Sequence, residues 1–259
     1  MIFDTHCHLN SPELYPNYPF YIQKAQMVGV KRFLIIGYDL DSSLKAIEIS
    51  KANPGICYAA IGIHPSEILK CGKDDLDKIE ELLKEDVVKA VGEIGLDYHW
   101  GDVPKDIQKE YFIKQLELAN KYHKPIVIHT RDAAEDTHRI LKENKQYFDK
   151  GIMHCYSGSA EMVKSYTSLG LYISLGGPLT FKNARIPKEV VKVVPKDKLL
   201  FETDSPYLAP HPFRGKQNEP ALITLVIKEA AILLDCDYQE LCNKAYKNAL
   251  EVLNIDEES

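Results

Sequence analysis

Short apolar runs recur along the chain and alternate with longer segments in which apolar residues return every three or four positions. The runs predict eight strands, at residues 1–6, 31–37, 56–61, 87–93, 125–129, 151–154, 171–175 and 199–202. Several are apolar almost throughout, as in Phe33-Leu34-Ile35-Ile36, which is typical of parallel strands covered on both faces. The segments between them predict amphipathic helices, most clearly at residues 105–123.

Repetition of a strand followed by a helix predicts the fold class, α/β. This alternation favours a parallel sheet with right-handed crossovers, and eight units favour closure into a (β/α)8 TIM barrel over an open sheet. The chain has 259 residues and no Gly/Ser-rich or Pro-rich linker, so we expect a single TIM-barrel hydrolase domain over residues 1–259. A proline-rich loop follows the eighth strand and precedes a helical end at about residues 221–253, with Asn218 as a candidate N-cap.

Composition and charge narrow the function classes. The chain is 45% hydrophobic and 27% charged, which is typical of a folded globular protein with a large core. A net charge of −6 argues against a broad basic surface that grips duplex nucleic acid through many phosphates. The net charge is compatible with a nuclease that binds a strand end, because divalent cations in a small site neutralise phosphates locally. The six cysteines are scattered and are expected to be buried free thiols.

The first residues bear on location. Met1-Ile2-Phe3-Asp4-Thr5-His6 has no basic segment followed by an apolar stretch, and no later run approaches the ~18 apolar residues of a membrane span. We therefore expect a cytoplasmic protein without membrane association. Nothing in the sequence requires an obligate protein partner, so a monomer is expected.

The strongest local motif is Asp4-Thr5-His6-Cys7-His8, at the end of the first predicted strand. Because a strand has a period of two residues, His6 and His8 point to one face, where two imidazoles can share one metal. Such a triplet also occurs by chance. Its position at the end of a barrel strand adds weight to the metal interpretation.

Four more candidate ligands fall at the carboxyl ends of predicted strands: Glu93, His129, His154 and Asp204. Those ends meet on one face of a TIM barrel, where active sites form. Each residue alone has an ordinary structural explanation, such as a hydrogen-bonded core histidine or an aspartate in a turn. Together, buried carboxylates and imidazoles need compensating charge, which divalent metals supply. Nitrogen and oxygen ligands fit zinc, manganese or iron, and magnesium where carboxylate, water and phosphate dominate.

Read together, the motifs resemble the TatD family of metal-dependent deoxyribonucleases, within the wider amidohydrolase-like barrels. The resemblance covers nearly the whole chain and includes Asp4-Thr5-His6-Cys7-His8, Gly62-Ile63-His64-Pro65, Gly92-Glu93-Ile94-Gly95-Leu96-Asp97, His129-Thr130-Arg131, His154-Cys155-Tyr156-Ser157-Gly158, Glu202-Thr203-Asp204-Ser205-Pro206-Tyr207-Leu208 and Arg214-Gly215-Lys216-Gln217-Asn218-Glu219-Pro220. It implies a binuclear centre in which His6, His8 and Asp204 hold one metal, His129 and His154 hold the other, and Glu93 bridges them. It also implies hydrolysis of phosphodiester bonds in DNA, often from a strand end.

Other residues are candidates for catalysis and substrate binding. Asp204 is the candidate general base, unless it serves only as a ligand. His64 is a candidate hydrogen-bond partner of a substrate phosphate, or a loop histidine beside a proline. The remaining candidates are Arg131 and Arg214 for phosphate contacts, Lys216 as a point charge or a solvated lysine, and Tyr207, Tyr98 and Trp100 for stacking on a base or packing on their own loops.

Two other functions remain open. One is a barrel hydrolase that acts on a small phosphoester, ester or amide. Many amidohydrolase-like enzymes bridge their metals with a carboxylated lysine, and Glu93 in the corresponding place favours the deoxyribonuclease-like branch. The other is a non-catalytic protein that keeps a metal for stability. Ligands on five strand ends argue against it, because structural sites are usually four-coordinate and rich in cysteine.

Overall fold

Eight parallel strands form one sheet in the computed structural model, which describes residues 1–257. They are β1 (Ile2–Cys7), β2 (Val30–Ile36), β3 (Cys57–Ile61), β4 (Val88–Asp97), β5 (Ile126–Arg131), β6 (Gly151–Met153), β7 (Leu171–Leu175) and β8 (Leu199–Phe201). Their order in the sheet follows the chain. All eight predicted strands are confirmed, and β4 runs past its predicted end at residue 93 to Asp97.

The two edges of the sheet meet just beyond the ends of β1 and β8. The backbone N–H of Asp204 donates to the carbonyl of His6 (2.8 Å), and that of His8 donates to the carbonyl of Ser205 (2.7 Å). The Thr5 hydroxyl adds a bond to the carbonyl of Phe201 (3.0 Å). These contacts bring the edges into a nearly closed barrel and confirm the TIM-barrel prediction. They also place His6 and His8 beside Asp204, which is almost two hundred positions away along the chain.

Helices lie between the strands and at the end of the chain. Those found in residues 1–257 are α1 (Tyr18–Met27), α2 (Leu40–Ala52), α3 (Asp75–Leu82), α4 (Lys105–Lys121), α5 (Ala134–Glu143), α6 (Ala160–Ser168), α7 (Arg185–Val193), α8 (Ile223–Leu233) and α9 (Tyr238–Leu253). Helix α9 begins at an aspartate N-cap, where the Asp237 side chain accepts the N–H of Glu240. Within this part of the chain, no helix is both long and apolar enough to cross a membrane.

Apolar side chains cover both faces of the sheet. On β2, Phe33 and Ile35 belong to the layer that packs against the helices, whereas Leu34 and Ile36 belong to the layer inside the barrel. This explains why the strand is apolar throughout. Tyr246 of α9 packs on the interior layer near the start of β1, so α9 covers the amino end of the barrel and the carboxyl end is left for polar residues.

Asn218 differs from its predicted role. The N-cap position at the start of the helical end is Glu219, which precedes the 3-10 helix Pro220–Leu222, so the expectation that Asn218 caps this helix is wrong. Asn218 is fully buried, and its amide donates to the carbonyls of Thr203 and Tyr207 (2.7 Å each). The loop between these residues leaves carbonyls without sheet partners, and a buried carbonyl needs a donor. Asn218 therefore fixes the loop that carries Asp204.

Candidate metal centre

The fold brings the six predicted ligands together at the carboxyl end of the barrel. They come from β1 and the residue after it (His6, His8), β4 (Glu93), β5 (His129), the residue after β6 (His154) and the loop after β8 (Asp204). Nε2 of His6 lies 3.2 Å from Nε2 of His8, and both atoms face Oδ1 of Asp204, at 3.7 and 3.4 Å. Nearly all of the surface of these three side chains is buried. They form the first half of the cluster.

Glu93 lies between this first half and the second half of the cluster, which consists of His129 and His154. Its Oε2 lies 3.5 Å from Nε2 of His6. Its Oε1 lies 2.9 Å from Nδ1 of His129 and 3.4 Å from Nε2 of His154. One carboxylate oxygen therefore faces each half, which is the arrangement that a bridging ligand requires.

The charge state of the cluster fits divalent cations. Burial alone would raise the pKa of Glu93, but the neighbouring His154 and His6 hold that pKa well below its ordinary value. Asp204 behaves in the same way: burial alone would raise its pKa, but the hydrogen bond with His8 and the charges of the neighbouring histidines together lower it. Two buried anions thus face four imidazoles. Imidazole nitrogen and carboxylate oxygen are ligands that zinc, manganese and iron accept.

Two of the histidines are oriented by contacts behind them. Nδ1 of His8 lies 3.1 Å from the carbonyl of Ile36. Because a carbonyl only accepts hydrogen bonds, Nδ1 carries the proton and Nε2 is left with the lone pair that a metal needs. Nδ1 of His154 lies 2.9 Å from Oε1 of Glu202, so Nε2 of His154 is directed at Glu93 in the same way.

His129 has a comparable partner in Asp97. One ring nitrogen of His129 faces Glu93, and the other lies 2.9 Å from Oδ2 of Asp97. Sequence reasoning did not select Asp97 or Glu202 as site residues, although both occur in the motifs quoted above. The sequence did contain a signal for both residues, since each is acidic and lies at the end of a barrel strand that also supplies a predicted metal ligand.

The pKa of His154 reflects this acidic surrounding. Burial would lower it, but the charges of Glu202 and Glu93 raise it to about 10. Without a metal, a proton on His154 therefore supplies part of the positive charge that the carboxylates demand. A bound cation would take over that role.

His64 lies at the edge of the cluster, with Nε2 3.8 Å from Oε1 of Glu93. Its Nδ1 accepts the backbone N–H of Ser66 (3.1 Å). Burial and the neighbouring His129 lower the pKa of His64 to about 3. The neutral ring therefore carries its proton on Nε2 and presents an N–H donor to the cavity.

A cavity of about 530 Å³ lies over the cluster. Of the predicted substrate contacts, His64, Arg131, Tyr207 and Trp100 line it. Arg214 is not among the described lining residues, and its guanidinium stacks on Phe181 at 4.4 Å. Tyr98 does not line the cavity either: its hydroxyl donates to Asp136 of α5 (2.7 Å), and Lys105 of α4 lies over its ring.

Comparison with known proteins identifies the family. A family model described as TatD related DNase matches residues 3–254. The chain belongs to the TatD family. This TatD-family chain is 44% identical over 256 residues to the metal-dependent hydrolase YabD of Bacillus subtilis (strain 168), an alignment that covers 99% of the chain and 100% of YabD. It is 34% identical over 258 residues to the metal-dependent hydrolase YcfH of Escherichia coli (strain K12), covering 98% of the chain and 96% of YcfH.

Solved structures agree with the assignment. The crystal structure of YjjV, a TatD homologue from Escherichia coli K12, matches with a TM-score of 0.93 at 27% identity and covers 98% of both chains. A TatD-family hydrolase from Entamoeba histolytica matches with a TM-score of 0.84 at 24% identity, covering 97% of both chains, and supports the fold. The predictions of a TIM barrel and of a TatD-family metal-dependent hydrolase are confirmed.

Proposed function

We propose that this TatD-family hydrolase is a deoxyribonuclease that cleaves phosphodiester bonds from strand ends with two divalent ions. The observation that carries the proposal is the position of Glu93, with one carboxylate oxygen toward each half of the ligand cluster. Two ions that share a carboxylate are suited to phosphodiester hydrolysis, because they can stabilise both the attacking and the leaving oxygen. The family description as DNase supports the same substrate class.

The residues divide between two ion sites. His6, His8 and Asp204 would hold one ion, His129 and His154 would hold the other, and Glu93 would belong to both. When bound, divalent ions neutralise phosphate charge and lower the pKa of water. Zinc, manganese, iron and magnesium all remain compatible with this set of nitrogen and oxygen ligands.

Side chains of the protein then position the reactants and accept a proton. The Asp204 carboxylate, held anionic beside His8, accepts the proton of the attacking water. His64 donates its Nε2–H to a phosphate oxygen, since its Nδ1 is already occupied by Ser66. Arg131 on the cavity wall contacts a neighbouring phosphate through its guanidinium. The net charge of −6 favours this local recognition of a strand end over a broad duplex-binding face.

The test is degradation of end-labelled DNA. Metal-free protein receives magnesium, manganese or zinc and is mixed with single-stranded and double-stranded DNA. His129→Ala and Asp204→Ala variants, purified in parallel, control for contaminating nucleases. We expect a ladder from one end that requires metal and disappears in both variants. Equal cleavage by wild type and variants would contradict the proposal.

A second candidate is hydrolysis of a small phosphoester, ester or amide. The cavity of about 530 Å³ lies in the range of pockets that enclose small molecules. A wild-type protein that binds two ions and cleaves none of the DNA substrates would favour this candidate. Turnover of small ester, amide and phosphoester substrates under the same metal conditions would then identify the bond.

A further inference from the structure

Trp100 is the only tryptophan in the sequence, and it lines the cavity over the ligand cluster. It leaves 62% of its surface exposed. We propose that Trp100 is the platform on which a nucleobase next to the scissile phosphate stacks. This inference rests on the deoxyribonuclease function proposed above and names the feature of the strand that the site recognises.

Two side chains pack against the indole ring. The guanidinium of Arg131 lies over the ring, 5.4 Å from its centroid. The ring of His99 meets it edge-on, with centroids 4.9 Å apart and planes at 87°. In the described part of the chain no further aromatic ring packs on Trp100. Because 62% of Trp100 is exposed, a large part of the indole is open to a ligand.

Two hydrogen bonds hold the segment before Trp100, one to the end of β5 and one to the end of β4. The backbone N–H of Tyr98 donates to the carbonyl of Arg131 (2.9 Å), and that of His99 donates to Oδ1 of Asp97 (2.9 Å). Oδ2 of the same Asp97 carboxylate lies 2.9 Å from Nε2 of His129. One carboxylate thus links the loop of Trp100 to a candidate metal ligand. We infer that this connection holds the platform near the metal centre.

A platform of this kind selects for unpaired bases. Every base has a π-face that can stack on an aromatic ring, so the interaction tolerates any sequence. Within a duplex both faces of every base except the terminal one are covered by its neighbours, and such a base must leave the stack to reach a protein ring. Arg131, which packs on the indole, supplies a charge for the adjoining phosphate. We therefore infer a preference for single-stranded or frayed ends.

The test compares two DNA strands that differ only in the bases at the cleaved end. One is a short oligothymidylate, and the other carries base-free nucleotides at its terminal positions. The ratio of kcat/KM between the two strands is measured for metal-loaded wild type, Trp100→Ala and Trp100→Phe. We expect Trp100→Ala to reduce the advantage of the base-bearing strand about tenfold, mainly through KM. Trp100→Phe should retain most of that advantage.

A second readout does not depend on turnover. Because Trp100 is the only tryptophan, its fluorescence reports a base that stacks on it, and we expect quenching by the base-bearing strand alone. Equal losses of kcat/KM on both strands, or an unchanged ratio in Trp100→Ala, would overturn the inference. If wild type cleaves neither strand, the proposed function fails. In that case the fluorescence still tests the Trp100 platform. Quenching by the base-bearing strand alone supports the platform, and any other result rejects it.

Discussion

The carboxylate of Glu202 lies 2.9 Å from Nδ1 of His154 and is fully buried. This contact turns Nε2 of His154 toward Glu93 and surrounds the imidazole with negative charge. Carboxylates in this position fix the tautomer of a ligating histidine and make its other nitrogen a better metal ligand. We therefore infer that Glu202 positions His154 as a metal ligand.

Replacing this carboxylate should weaken metal binding while preserving the fold. We expect Glu202→Gln, which retains size but loses charge, to reduce affinity for one ion by about 10–100-fold. Titration against a chromophoric chelator measures that affinity. Glu189→Gln on α7, whose side chain is 49% exposed, is the matched control. Unchanged affinity in Glu202→Gln would show that the contact has no role in metal binding.

The pH dependence of metal binding follows from the same pair. Burial favours neutral His154, but Glu202 and Glu93 raise its pKa to about 10 in the metal-free protein. Because the folded protein holds this proton more tightly than the unfolded chain, the raised pKa stabilises the metal-free fold at pH values below the ordinary histidine pKa of about 6.5. This contribution to the free energy of unfolding is lost as the pH rises toward 10. A metal requires the neutral imidazole, so binding must release the proton.

Calorimetry in two buffers of different ionisation enthalpy measures this release. We expect protons to be released near neutral pH and the apparent metal affinity to rise with pH by at most about tenfold per unit for a single proton. Glu202→Gln should release fewer protons, because the largest of the charges that raise the pKa of His154 is gone. Metal binding that takes up protons, or that is independent of pH, would contradict this account.

His64 gives a prediction about catalysis. Its Nδ1 accepts the N–H of Ser66, so Nε2 is the donor that faces the cavity. We expect His64→Ala to lower kcat by about a hundredfold, which is typical for loss of one preorganised donor. His64→Gln, whose amide N–H extends to a similar position, should recover part of that loss. The variants must bind the same number of ions as wild type for this comparison.

A different result would change the role of His64. Equal kcat in His64→Ala and wild type would mean that the side chain does not contact the transition state. A loss of bound metal in His64→Ala would instead identify His64 as a ligand.

Asn218 gives a prediction about stability. Asn218→Ala removes the amide that donates to the carbonyls of Thr203 and Tyr207, leaving one buried and one part-buried acceptor without this donor. We expect the free energy of unfolding to fall by about 1–3 kcal/mol, measured by denaturant titration of the metal-free protein. Asn183→Ala, at an exposed position, is the control and should be near neutral. A neutral Asn218→Ala would show that the Asp204 loop does not depend on this residue.

Sequence patterns predicted the strands and the six converging residues because both follow from local regularities. Apolar runs mark buried strands, and parallel strands in a barrel end on one face. The roles of Asp97 and Asn218 depend instead on contacts between segments distant in sequence. Asp97 meets His129 because β4 continues four residues beyond its predicted end. Asn218 has the residue type of a cap, and only the folded loop shows that its amide serves Thr203 and Tyr207.

The predicted substrate contacts also differ in how far the sequence alone could place them. Arg131 and Trp100 line one cavity because the segment after β4 lies against the end of β5. Arg214 occurs in a family motif, but its guanidinium stacks on Phe181, outside the described lining. Its contact with substrate stays a prediction. Side-chain orientation at a loop depends on packing that residue type does not specify.

The most direct test of the account is the metal content of the protein, measured by elemental analysis together with turnover. Wild type, His8→Ala and His129→Ala are loaded with the metal that best supports activity and freed of excess. The account predicts about two ions per wild-type chain, about one in each variant, and loss of turnover in both. A wild type that holds a single ion, or a variant that loses an ion and keeps full turnover, would contradict a centre in which two ions act together.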